Sequence, residues 1–108
     1  MTAKEFVELF YNEKNELIKQ YFSNSQVTEV GSKIDSLGLT ENQLAKMKDV
    51  LDVVITDIMY SILLGLDGEA SIGGVQQNYK LYDENRLELT NSGEIEQYAY
   101  EYFHEVER

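Results

Sequence analysis

The chain has no cysteine, no proline and no tryptophan, and only one histidine. Without cysteine there is no disulfide and no thiolate chemistry, which fits a reducing cytoplasm. Without proline, helices run uninterrupted and turns fall to glycine, aspartate and asparagine. One histidine cannot form a histidine metal cluster, so no metal and no cofactor are expected. Positive charge is also scarce: 9 basic side chains face 20 acidic ones, for a net charge of −11. The imbalance is uneven, since residues 1–54 carry 6 basic and 9 acidic side chains and residues 55–108 carry 3 and 11. Such a field repels nucleic acid, anionic lipid and phosphorylated substrates, and attracts basic surfaces. Met1-Thr2-Ala3-Lys4-Glu5 lacks a basic region leading into an apolar run, so no secretory leader is expected.

A long uncharged apolar run is missing as well. The nearest approach is Thr40–Gly74. A membrane span needs roughly 20 apolar residues, and Asp49, Asp52 and Asp57 interrupt this one. Thr40 and Gln43 have capping-box spacing. Leu44, Met47, Leu51, Ile55, Ile58 and Ile62 then recur at three- and four-residue steps, and Val50, Val53, Val54, Tyr60, Leu63 and Leu64 fill the other faces. A helix apolar on all sides is expected to be buried, with other elements wrapped around it. Gly65 and Gly68 are expected to stop it.

Before this helix, Thr2 and Glu5 form a second capping-box pair, and Phe6, Leu9, Phe10, Leu17, Ile18, Tyr21 and Phe22 predict helix over about 3–22. The polar stretch Asn12–Glu16 leaves open whether that is one helix or two. A connector at Ser23–Ser25 leads to a short helix with Val27, Val30, Ile34 and Leu37, ending at Gly38.

Beyond the glycine-rich segment Gly65–Gly74 the apolar period shortens to two. Val75, Gln77, Tyr79 and Leu81 alternate with polar neighbours and predict a strand. Asp83–Arg86 predicts a turn, with Asn85 at positive φ, and Leu87 and Leu89 a returning strand. Ala70 and Ile72 are a third, edge-strand candidate. The expected small antiparallel meander needs helices packed on one face. The last helix is capped by Asn91 or Ser92 and carries the stripe Ile95, Tyr98, Ala99, Tyr102, Phe103 and Val106. The fold expected is therefore α+β: mainly helical, with a long buried central helix, a two- or three-stranded meander and a C-terminal amphipathic helix, all in one domain spanning 1–108.

No catalytic constellation is legible. His104 lies off the apolar stripe and has only Glu101 and Glu105 as local carboxylates. An enzyme built on it would have to recruit Asp67 or Asp83. Asp67-Gly68-Glu69 does not follow the calcium-loop pattern, and the glycines leave a helix rather than enter one behind a lysine, as a phosphate loop requires. The remaining signal is tyrosine among carboxylates, with 8 tyrosines in all. Tyr82, Tyr100, Glu96, Glu101, Glu105, Asp67 and Glu69 form the expected partner-binding set, because a ring with a polar tip suits protein contacts. The function expected is a small acidic, non-enzymatic interaction domain, of inhibitor or immunity type, that neutralises a basic protein. The alternative is a self-associating module, dimeric through the sheet edge or the outer strand face.

Overall fold

In the computed structural model, residues 1–23 and 27–105 are described. They form four helices: α1 (Ala3–Ser23), α2 (Glu29–Ser36), α3 (Glu41–Leu66) and α4 (Glu94–Tyr100). A π-helical turn, Glu101–Glu105, continues α4. By contacts the chain divides into two compact units. The first comprises Met1–Tyr11 and Asp57–Arg108, the second Asn12–Thr56.

Both expected capping boxes are present. Glu5 N–H donates to Thr2 Oγ1 and Thr2 N–H to Glu5 Oε1, each at 3.1 Å. Gln43 N–H donates to Thr40 Oγ1 at 3.2 Å, and Thr40 N–H to Gln43 Oε1 at 2.9 Å. Each box satisfies two backbone donors that a helix start leaves open. The polar stretch Asn12–Glu16 does not break α1, which is a single helix of 21 residues. Helix α2 starts on Thr28, whose hydroxyl accepts from Gly31 N–H at 2.9 Å, and it stops where Gly38 takes a left-handed φ of 63°. The expected Ser23–Ser25 connector beyond Ser23, and Val106 of the last stripe, lie outside the described residues.

The first unit holds the main apolar core: Ala3 and Val7 from α1, Leu63 from α3, Leu89, and Ile95, Ala99 and Phe103 from α4 and its π-helical extension. The last helix is thus amphipathic as expected. Aromatic edges seal the core, with Tyr11 at 5.7 Å from Phe103 and 5.4 Å from Tyr102 between ring centres. The second unit buries Ile18 and Ile34 beside polar groups. Lys14, 0% exposed, donates from Nζ to Asp52 Oδ1 at 3.1 Å and to Thr56 Oγ1 at 3.3 Å.

Two expectations are overturned. The meander does not form: among the described residues there is no strand or sheet, only isolated bridges joining Ile72 to Val75 and Tyr82 to Glu88. The physical reason lies in Thr90 and Asn91. Leu81 N–H donates to Thr90 Oγ1 at 3.1 Å instead of to a carbonyl across a ladder. The Thr90 hydroxyl and the Asn91 amide then both donate to Tyr79 C=O at 2.7 Å. Side chains thus take bonds that a partner strand would supply, and two backbone bonds join the segments, Leu89 N–H to Leu81 C=O at 2.7 Å and Asp83 N–H to Leu87 C=O at 3.0 Å. The sheet edge and outer strand face proposed for a homodimer are therefore absent as well. In the turn, Arg86 rather than Asn85 takes positive φ, because the Asp83 carboxylate accepts from Asn85 N–H and Leu87 N–H and fixes the residues between.

The second correction concerns α3. Thr56 and Leu63 are buried, but Val50, Val53, Val54, Ile58 and Ile62 are all exposed, so the helix is not wrapped on all sides. Its end also differs. Gly68, at φ 78°, supplies the stop, whereas Gly65 sits inside the helix. A Cβ at Gly65 would stand 2.3 Å from the Ile72 side chain, so this glycine is a seat for Ile72.

Candidate functional site

Three short elements of the first unit converge on the expected carboxylates. The last turns of α3 carry Tyr60, then Asp67 and, after the left-handed Gly68, Glu69. Helix α4 supplies Glu96 and Tyr100, and the π-helical turn supplies Glu101, His104 and Glu105. Asp67 is the hinge of this arrangement. It is 2% exposed. Its Oδ1 accepts from Asn91 N–H at 2.7 Å and its Oδ2 from Glu96 N–H at 3.1 Å. Gly93 opens α4 and has no side-chain oxygen to cap it, so a carboxylate from a distant part of the sequence does the capping. Neither Asn91 nor Ser92 caps α4 in the expected way: Asn91 is itself held by Asp67, and Ser92 Oγ accepts only from Glu94 N–H. The Asp67 oxygens are turned inward and are not available to a partner.

Glu96 is half-buried. Burial, then the Glu69 charge, a hydrogen bond to Glu69 and the Asp67 charge raise its carboxyl above the usual glutamate range. Glu69 and Asp67 thus bring negative charge to the half-buried Glu96 carboxyl. The Tyr60 phenol is also raised, by burial first and then by Glu96 and Tyr100. The Tyr60 ring meets His104 edge-on with centres 4.3 Å apart, and Tyr100 lies 5.7 Å from His104. Tyr60, Tyr100, His104, Glu69 and Glu96 therefore make one acidic, aromatic face. Glu101 accepts from Gln97 Nε2 at 3.5 Å, and Glu105 is exposed on the turn that carries His104.

Tyr82 does not join this face. It borders a groove of about 330 Å³ with Met1, Phe6, Leu81, Asp83, Glu84 and Leu89. There the N-terminal ammonium binds Asp83 Oδ2 at 2.8 Å, and this bond, ahead of the backbone N–H donors, holds the Asp83 carboxyl below its ordinary range. Asp83 is committed to that pair and to its turn, far in role from the acid a His104 enzyme would recruit. Sequence reasoning missed Tyr60, which reads as one more apolar residue of α3, and it missed the capping role of Asp67. An acidic residue directly between the helix end at Leu66 and the stop glycine Gly68 was the available signal for Asp67.

Among the described residues no three His, Asp or Glu side chains converge to hold a metal ion, and no helix is long and apolar enough to cross a membrane. Comparison with family models, with curated proteins and with solved structures finds no match.

Proposed function

We propose that this chain is a small acidic interaction domain, without enzymatic activity, that binds a basic protein in the manner of an inhibitor or immunity protein. The observation that carries the reading is the Glu69–Glu96 pair set beside Tyr60, Tyr100 and His104. A lysine or arginine from a partner would offset the mutual repulsion of Glu69 and Glu96, and would gain a ring face as well as two carboxylates. Non-enzymatic action is favoured by His104, whose ring is packed against two tyrosines rather than hydrogen-bonded to a carboxylate or nucleophile. The cysteine-free composition favours a reducing compartment such as the cytoplasm.

The test is capture of partners from native lysate by the intact chain and by Glu96→Gln and Tyr100→Ala variants, at low and high salt. A basic protein that is retained by the parent, and lost with salt or with either substitution, is the expected result. Equal retention by both variants, or binding indifferent to ionic strength, contradicts the proposal.

Self-association is a second reading, favoured by a different observation. In the second unit, helix α3 presents Val50, Val53 and Val54 to solvent, aliphatic groups available to a second copy. Sedimentation would show a dimer at micromolar concentration that Val54→Glu disrupts, and a monomer throughout would dismiss it.

A further inference from the structure

The second unit contains a pocket of about 390 Å³ whose chemistry departs from the acidic character of the chain. One wall is a face of α1, formed by Asn15, Ile18, Lys19 and Phe22 at i, i+3, i+4 and i+7. The other wall is α3, through Lys48 and Asp52. Its volume lies within the range of small-molecule sites, roughly 300–1,000 Å³.

The charge balance at this pocket is set by Lys14. A fully buried ammonium is costly unless paired, and Lys14 takes Asp52 as its partner at 3.1 Å. The one carboxylate in the pocket wall is thereby matched from behind by a cation that does not face the pocket. Lys19 and Lys48 are both exposed, and neither has an ion-pair partner among the described residues. The pocket thus presents two uncompensated ammonium groups, one from each helix. The Asn15 amide, a further donor, and an apolar wall of Ile18 and Phe22 accompany them.

We infer that this pocket binds a phosphate monoester bearing a small apolar or aromatic group. A monoester carries close to two negative charges at neutral pH, which matches two lysines. Lysine serves as a point-charge phosphate binder, so two of them on separate helices can clasp one tetrahedral head. The Phe22 and Ile18 side chains offer surface to the organic group and favour the ester over inorganic phosphate. Lys19 and Lys48 outnumber Asp52 in the pocket lining, so the charge there differs in sign from that of the whole chain.

The test uses the full chain, uniformly labelled, titrated at constant ionic strength with phenyl phosphate and followed by two-dimensional amide NMR. Inorganic phosphate, benzoate and phenol are the comparison ligands. The expected result is saturable shifts confined to residues 15–22 and 46–52, weaker saturation with inorganic phosphate, and none with phenol. Lys19→Ala and Lys48→Ala should each weaken phenyl phosphate about tenfold while the rest of the spectrum stays unchanged. Shifts that never saturate, or that scatter over the surface, overturn the site. So does a Lys19→Ala/Lys48→Ala double variant that binds as well as the parent. Benzoate binding as tightly as phenyl phosphate overturns the assignment to phosphate.

Discussion

The two units solve the burial problem differently. The first encloses seven apolar core residues and carries 4 basic and 13 acidic side chains. The second carries 5 basic and 7 acidic side chains, and its most deeply buried side chains are Lys14 and Thr56, bonded to each other and to Asp52. The difference teaches that the acidic surplus does not stand in for an apolar core. It lies on the unit that already has an oily core. Three of its acids hold the fold: Glu5 in the α1 capping box, Asp83 in its turn and Asp67 at the start of α4. In the second unit one charge, Lys14, is placed inside, where it takes a place that an aliphatic residue could fill.

The sharpest way to break this comparison is to remove the core of the first unit. Phe103→Ala should cost about 3–5 kcal/mol, since a fully buried ring leaves a cavity that packed neighbours cannot close. Chemical denaturation reads the loss as a lower midpoint. Next in size is Asp67→Ala, expected to cost about 2–3 kcal/mol, because Asn91 N–H and Glu96 N–H lose their acceptor. Faster amide exchange at the start of α4 would accompany it. A change confined to partner binding, with stability untouched, would instead restore Asp67 to the interaction set. Lys14→Met should cost only about 1–2 kcal/mol, since the methionine fills the space and Asp52 is partly open to water. A loss as large as that of Phe103→Ala would erase the contrast between the units.

The smallest effect is a pH dependence. Glu96 has its carboxyl raised, so the folded protein holds that proton more tightly than the unfolded chain does. Its stabilising contribution is full below the ordinary glutamate range and is lost as pH rises through the raised value. Relative to the parent, Glu96→Gln should therefore gain stability as pH climbs through that window. Glu5 works in the opposite sense. Its carboxyl is lowered by the Thr2 N–H and hydroxyl, so its contribution is present above the ordinary range and disappears as pH falls through the lowered value. Unfolding curves run from below the ordinary glutamate range up to neutral pH separate the two.

Much of the helical framework was legible in the sequence, because its signals are local. Thr2 with Glu5 and Thr40 with Gln43 are three residues apart, and Gly38 adjoins the helix it ends. The strands were misread because alternation at Val75–Leu81 describes only which side chains are apolar. Whether a backbone partner exists depends on Thr90 and Asn91, 9 to 12 residues further on. The exposed side of α3 was illegible for a similar reason: apolarity on every face says what a helix can bury, and not how many neighbours the chain has left to cover it. At the candidate site, Glu69, Glu96 and Tyr100 were named from their composition, whereas Asp67 acts on groups 24 and 29 residues away, beyond any local pattern.

The claim at the centre of this account is that Glu69 and Glu96 await a cation from a partner. It is tested most directly by following the Glu96 side-chain carboxyl by NMR as pH is varied, in the free protein and with a tetra-arginine peptide. The account predicts that Glu96 titrates above the ordinary glutamate range in the free protein, falls when the peptide binds, and falls less in Tyr100→Ala. A Glu96 that titrates in the ordinary range when free, or that does not respond to the peptide, would contradict it.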